Sequence, residues 1–104
     1  MFGTGSDDYE LFEEDGEFVL SIEMPGFDVE DIKVGWDDGR LSVAASREDR
    51  GGEQQRTYRR TFRMPKRIAE DEIRARYKNG VLDVYLPTVE EPEVRGTEIP
   101  IETE

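Results

Sequence analysis

The sequence predicts an all-β protein, an antiparallel β-sandwich of two sheets followed by a flexible C-terminal extension. Three observations support this prediction: apolar and polar residues alternate over most of the chain, no helical period is sustained, and Asx-Gly dipeptides separate the alternating runs. Helix is expected only as single turns, near 28–31 and 68–71. The predicted strands lie at residues 9–13, 17–24, 31–36, 40–46, 57–64, 73–78 and 81–86.

Alternating apolar side chains mark the strands, because neighbouring residues of a strand point to opposite faces of its sheet. The longest run contains Phe18, Leu20, Ile22 and Met24. We expect one face of each strand to lie in the core and the other to face water. The same spacing recurs in Ile32, Val34 and Trp36; in Leu41, Val43 and Ala45; in Tyr58, Phe62 and Met64; in Ile73, Ala75 and Tyr77; and in Leu82, Val84 and Leu86.

Dipeptides between these runs predict tight hairpins at Asp15-Gly16, Asp38-Gly39 and Asn79-Gly80. Such two-residue turns need positive φ, which Gly adopts freely and which Asp or Asn tolerates. Pro25-Gly26 ends another strand and predicts a wider turn. Strands joined by turns of this kind indicate antiparallel pairing.

Two segments do not resemble strands. Residues 47–56 (REDRGGEQQR) are polar with two glycines, which predicts a solvent-exposed loop. From Thr88 the chain reads TVEEPEVRG, which is typical of a tether, and it then reaches the apolar element Ile99-Pro100-Ile101. We therefore divide the chain into a short N-terminal tail at 1–7, a sandwich domain at 8–88 and an extension at 89–104.

The composition argues against an enzyme. The chain contains no cysteine and no histidine, so disulfides, thiolate nucleophiles, imidazole bases and the commonest zinc ligands are all excluded. Acidic pairs such as Asp37-Asp38 lie in turns and tails, where they are expected to be solvated rather than catalytic. No catalytic residue, cofactor or metal site is predicted.

The charge argues against two classes of partner. With 26 acidic and 14 basic residues the net charge is −12, which repels phosphate backbones and anionic lipid headgroups. Nucleic acid and membrane are therefore not expected as partners. No apolar run is long enough to cross a bilayer, and residues 1–8 lack the pattern of a secretion signal, so a cytoplasmic protein is expected. The acid excess and the scarcity of lysine also suit a salty cytosol.

Four ordered motifs resemble the small heat-shock proteins, the α-crystallin domain family, and the acidic, halophile-like archaeal members in particular. Two of them are Met24-Pro25-Gly26-Phe27, similar to an early turn, and the basic strand at 58–65 that ends in proline. The third is the C-terminal I-x-I motif, matched by Ile99-Pro100-Ile101. The fourth is the family signature A-x-x-x-N-G-V-L, matched at every fixed position by Ala75, Asn79, Gly80, Val81 and Leu82.

The resemblance implies an immunoglobulin-like sandwich whose C-terminal motif docks into a groove between two edge strands of a neighbouring subunit. By position those strands are 31–36 and 73–78. Arg60 matches an arginine at the dimer interface of animal crystallins. The candidate lining residues are Ile32, Val34, Trp36, Ile73, Ala75 and Tyr77, some of which must face the core instead.

The leading functional hypothesis is an ATP-independent chaperone, a holdase that binds unfolding client proteins and limits their aggregation. Self-association is expected, as a dimer or a higher oligomer, and the short 47–56 segment leaves the dimer geometry open. The alternative is a specialised interaction module on the same fold, either a CS-like co-chaperone or an accessory protein for one assembly such as gas vesicles.

Overall fold

The computed structural model describes residues 8–48, 55–89 and 99–103. Within these ranges there is no α-helix, and single 3₁₀ turns occur at Val29–Asp31 and Glu70–Glu72, close to the predicted positions. All predicted strands are present, which confirms the all-β fold. They are β1 (Tyr9–Glu14), β2 (Glu17–Glu23), β3 (Ile32–Asp37), β4 (Arg40–Glu48), β5 (Gln55–Arg63), β6 (Arg74–Lys78) and β7 (Val81–Pro87).

The strands form two antiparallel sheets. One sheet has four strands in the order β1-β2-β7-β6, and the other has three in the order β3-β4-β5. Most pairings join strands that follow each other in sequence, whereas β2 and β7 pair across the length of the domain, from Glu17↔Pro87 to Glu23↔Val81. The edge strands are therefore β1 and β6 in one sheet and β3 and β5 in the other.

The three predicted hairpin turns are confirmed by their backbone angles. Asp15, Asp38 and Asn79 have φ of 53°, 52° and 53°, and the following glycines have φ of 76°, 79° and 80°. Positive φ at both central positions gives the turn a twist that matches the right-handed twist of the flanking strands. These turns account for the antiparallel neighbours β1–β2, β3–β4 and β6–β7.

The core lies between the two sheets and is built from the alternating residues. Leu20, Ile22, Leu41, Val43, Val84 and Leu86 are completely buried. In the described residues the core contains no buried polar or charged residue, so it is stabilised by apolar burial. The other buried members are Phe18, Met24, Phe27, Ala45, Phe62, Met64, Ile68 and Leu82.

The prediction of a loop over the whole of 47–56 is wrong at both ends. Arg47 pairs with Arg56 and Glu48 with Gln55, so β4 and β5 continue as a ladder beyond the core. All four residues are exposed, and a solvent-exposed ladder needs no apolar side chains, so its pattern gave no strand signal. The rest of the predicted loop, 49–54, lies outside the described residues.

One side of the sandwich is closed by contacts between β1 and β5. The rings of Tyr9 and Phe62 meet edge to face, with centroids 5.0 Å apart, and the Arg60 guanidinium lies 3.3 Å from the Asp8 carboxylate. Beyond β5, the Lys66 ammonium lies 2.8 Å from the carboxylate of Glu13. Because β1 and β5 are the stacked edges on this side, β6 and β3 lie together on the opposite side.

Candidate interaction groove

The candidate site is the groove between the edges of β3 and β6. In the described ranges neither strand has a partner on its outer edge. Such an edge presents unpaired backbone N–H and C=O groups that can accept an added strand. The geometry suits the binding of an extended peptide.

The structure separates the six predicted lining residues into two sets. Ile32, Trp36, Ile73 and Tyr77 are half-buried and pack against the core, which makes them the candidates for the groove floor. Val34 is 37% exposed, and Ala75 is also exposed, although both point to the same side of their strands as the floor residues. An extended ligand placed along these two edges would meet Val34 and Ala75 first and the larger side chains beneath them.

Two hydrogen bonds hold β6 against the segment that leads from β2 to β3. The Tyr77 hydroxyl donates to the carbonyl of Met24 over 2.8 Å. The N–H of Met24 in turn donates to the carbonyl of Gly80, also over 2.8 Å. Both bonds fix the position of β6 and of the turn that follows it.

The signature residues are chiefly structural. Asn79 and Gly80 form the β6–β7 turn, Leu82 is buried in the core, and Val81 is half-buried. A Cβ on Gly80 would lie 3.1 Å from the Cβ of Pro25, so this glycine is also needed for close approach. Of the signature residues only Ala75 lies at the groove.

The C-terminal motif is accessible. Ile99 is 78% exposed and Ile101 is 89% exposed, and Pro100 between them is exposed too. Leaving a large aliphatic side chain in water is unfavourable by about 1.5–3 kcal/mol relative to burying it. The motif therefore does not fill the groove of its own domain.

Arg60 lies on the closed side of the sandwich, away from the groove. Besides Asp8, its guanidinium faces the rings of Tyr9 and Phe62, at 5.0 and 5.7 Å from their centroids. The residue thus links β5 to β1 within one chain. Its predicted role at a dimer interface stays a prediction.

Tyr58 is a further polar residue on the closed side. Its hydroxyl oxygen is buried and makes no hydrogen bond of acceptable geometry with the described residues. Burial, reinforced by the negative charge of Asp8 and opposed by Arg60, raises the pKa of Tyr58 to about 12. The hydroxyl therefore stays protonated at neutral pH and acts as a filling group rather than an acid.

Reasoning from the sequence missed the charges that accompany the groove. The residues of β6 that point away from the sandwich interior are Arg74, Arg76 and Lys78. Their alternation with Ala75 and Tyr77 is visible in the sequence, so a count of the charges on each face of the strand would have revealed the basic face of β6.

Neither a metal site nor a membrane span is found in the part of the chain that the structure describes. No group of three or more acidic side chains there is arranged to hold a metal ion. No helix in the same residues has the length and apolar character required to traverse a bilayer.

The two-sheet antiparallel sandwich with this strand order is a fold of the α-crystallin type. Residues 10–102 match the Hsp20/alpha crystallin family, and the chain belongs to this family. It is 36% identical to heat shock protein HSP.16.4 of Streptococcus thermophilus, over 89% of this chain and 72% of that protein.

Other relatives give the same result. The chain is 36% identical to the mitochondrial 23.6 kDa heat shock protein of Arabidopsis thaliana, covering 88% of this chain and 48% of that protein. A small heat-shock protein structure from Xylella fastidiosa superposes with a TM-score of 0.70 at 27% identity, over 89% of this chain and 94% of that one. Heat shock protein 16.0 from Schizosaccharomyces pombe gives 0.69 at 25% identity, over 90% and 96% of the two chains.

Membership of this family supports a chaperone role. Small heat-shock proteins form oligomers and bind client proteins. The chain spans 65% of the small heat shock protein C2 of Rickettsia felis and about half of the Arabidopsis protein, so full-length relatives contain additional sequence.

Proposed function

We propose that the protein is a holdase, which binds apolar segments of unfolding proteins without nucleotide and limits their aggregation. We further propose that it self-associates by docking Ile99-Pro100-Ile101 of one copy into the β3/β6 groove of another. The observation that carries the proposal is the coexistence of an open groove and an exposed apolar motif in one chain.

The motif suits the groove in shape. Proline restricts φ to extended values, and two residues separated by one position project to the same side of an extended segment. Ile99 and Ile101 can therefore enter the groove together, above the floor formed by Trp36 and Tyr77. Burying each isoleucine contributes about 1.5–3 kcal/mol before the cost of ordering the tail, so a reversible association is expected.

The same groove can receive client segments. An extended apolar peptide adds to a sheet edge through backbone hydrogen bonds, and these do not depend on its sequence. The groove then selects apolar side chains, while the net charge of −12 keeps the complex soluble. Docking of the tail and binding of clients are thus alternative uses of one site.

Aggregation of reduced insulin tests the holdase activity. The chain has no cysteine, so dithiothreitol acts only on the insulin disulfides. We expect a molar excess of the protein to reduce light scattering by the insulin chains. If the chains precipitate equally with and without the protein, the holdase proposal fails.

The size of the protein in solution tests tail docking. Ile101→Ser, at a residue that is 89% exposed, should shift the population towards smaller species in sedimentation velocity. Val29→Ser removes an apolar residue that is 64% exposed and belongs neither to the motif nor to the six predicted lining residues, so it serves as the control and should leave the size unchanged. Equal sizes for both variants and the wild type would exclude docking between copies.

A pull-down separates the holdase from a specialised interaction module. A holdase should capture many unfolding proteins after heat shock. Recovery of one partner in fixed stoichiometry, with or without heat, would instead favour the co-chaperone or assembly-accessory hypothesis.

A further inference from the structure

The outer side of β6 is unusually basic for this chain. In a protein with 26 acidic and 14 basic residues, each outward position of β6 carries a cation: Arg74, Arg76 and Lys78. The outward positions of β3, across the groove, are Lys33, Gly35 and Asp37, where the charges cancel. The two edges of the groove therefore differ in electrostatic character.

Two of the β6 cations have no ionic partner within the described residues. Arg74 is engaged, with its guanidinium 3.3 Å from the Glu17 carboxylate and 4.7 Å from the ring centroid of Tyr85. No such pair forms at Arg76 or Lys78. Asp83 is the cross-strand neighbour of Arg76, but its carboxylate accepts a hydrogen bond from the Ser21 hydroxyl instead, at 2.6 Å.

The C-terminal motif is complementary to β6 in charge and matches it in the alternation of its side chains. In an extended segment Ile99 and Ile101 point to one side, and Pro100 and Glu102 point to the other. If this segment is added to β6, the isoleucines join Ala75 and Tyr77 above the groove. Glu102 then falls on the same side of the enlarged sheet as the outward cations.

The register brings Glu102 close to the unpaired charges. Residues directly opposite on paired strands are about 4.5–5.5 Å apart at Cβ, and diagonal neighbours about 7–8 Å apart. Parallel addition pairs Ile99 with Ala75 and Ile101 with Tyr77, and it places Glu102 opposite Lys78 and diagonal to Arg76, within reach of long side chains. Antiparallel addition would instead place Glu102 opposite Arg74, which already pairs with Glu17. Pro100 has no N–H to donate. An edge strand tolerates proline where the backbone nitrogen faces solvent and not the neighbouring strand.

We propose that Ile99–Glu102 of a second copy adds as a parallel strand to β6 rather than to β3, and that its Glu102 carboxylate pairs with Lys78 and Arg76. The proposal rests on the tail docking put forward above and specifies its edge and its charge selectivity. The groove then prefers extended apolar segments that carry an acidic flank.

Charge reversal at β6 tests this proposal in the full-length protein. Arg76→Glu with Lys78→Glu should weaken self-association about tenfold in sedimentation equilibrium at about 0.1 M salt, where nearby charges still interact. The control is Arg59→Glu with Arg63→Glu, which makes the same change in net charge on exposed outward positions of β5. This control should retain the association constant within about twofold.

A compensating change provides the decisive comparison. Glu102→Lys alone should also weaken association, and its combination with the β6 double variant should recover most of the loss. At about 1 M salt the Debye length falls to about 3 Å, so charge–charge interactions weaken and the differences between the variants should shrink. Recovery also shows that the β6 substitutions leave the fold intact.

The outcomes distinguish this inference from the proposed function. If the β6 and β5 double variants behave alike while Ile101→Ser still dissociates the protein, the tail docks but without the charge pairing, and the inference is overturned. The same holds if Glu102→Lys fails to compensate. If Ile101→Ser has no effect on size, docking between copies itself is excluded.

Discussion

The two sides of the sandwich are built from the same kinds of residue and differ in how they are completed. On the β1/β5 side an ion pair, an aromatic contact and a guanidinium over two rings join the sheets within one chain. On the β3/β6 side the edges carry exposed Val34 and Ala75, together with Arg76 and Lys78, which have no ionic partner among the residues that the structure describes. One side is thus satisfied by contacts within the chain, and the other has edges that stay open.

Substitution of Gly80 should cause the largest loss, because it disturbs the turn that holds β6 in place. Gly80→Val combines a β-branched residue at φ 80° with a Cβ only 3.1 Å from Pro25. We expect it to lower the free energy of unfolding by about 2–4 kcal/mol, measured by urea denaturation.

Two glycines separate the contributions to that loss. Gly39 has φ of 79°, and no atom lies within 4 Å of the place that a Cβ would occupy, so Gly39→Val should show only the backbone cost. Gly35 has ordinary φ and open space, so Gly35→Val should be nearly neutral. Equal losses at Gly80 and Gly39 would show that the contact with Pro25 is unimportant.

Removal of Arg60 should weaken the closed side. Arg60→Ala deletes the pair with Asp8 and the stacking on Tyr9 and Phe62, for an expected loss of about 1–2 kcal/mol in the free energy of unfolding. Arg60→Lys keeps the charge but not the planar contact with the rings, so its loss in the free energy of unfolding should lie between zero and that of Arg60→Ala. Arg59→Ala, on the exposed outer face, is the control; an equal loss there would contradict the assigned role.

A charge placed on the open side should change association and leave stability nearly intact. Ala75 is exposed, so Ala75→Asp should alter the free energy of unfolding by less than about 0.5 kcal/mol. By placing an anion beside the docking isoleucines it should weaken self-association about tenfold, or about 1.4 kcal/mol. Thr61→Asp, exposed on β5, should do neither. Unchanged association in Ala75→Asp would move the binding site away from β6.

The smallest expected effect concerns Tyr58 at alkaline pH. Its pKa is raised by burial to about 12, so the folded protein holds this proton more tightly than the unfolded chain. That contribution to stability is complete below pH 10, the ordinary tyrosine value, and is lost as pH rises towards 12. Tyr58→Phe should reduce the fall in melting temperature over this interval, with little change at pH 7. An unaltered alkaline profile would contradict the shift.

Most of the fold could be predicted because it depends on local signals. Strand faces follow from alternation, and the hairpins follow from Asx-Gly turns whose φ requirements few other pairs meet. The strand pairing at Arg47 and Glu48 was not predicted, because paired residues that are fully exposed need no apolar side chains and so leave no apolar pattern. Sheet order was likewise beyond the sequence pattern, since the pairing of β2 with β7 joins distant segments.

The site could be predicted only in outline. The strands β3 and β6 were predicted from alternation and their role as groove edges from resemblance, but alternation cannot distinguish a core residue from an edge residue on the same face. Trp36 and Val34 share a face, and only packing shows that Trp36 contacts the core while Val34 is exposed. The role of Arg60 was similarly ambiguous, because its partners Asp8 and Tyr9 are distant from it in the sequence.

The pairing of β2 with β7 has a consequence for folding speed. The hairpins β1–β2, β3–β4 and β6–β7 close over two residues each and can form independently in about 1–10 μs. The β2–β7 ladder must instead bring together the two ends of the domain, which costs loop-closure entropy before any contact is gained. The formation of the β2–β7 ladder is therefore expected to limit the refolding rate of the heat-unfolded chain. Substitutions along β2 and β7 should slow refolding more than those in the hairpin turns.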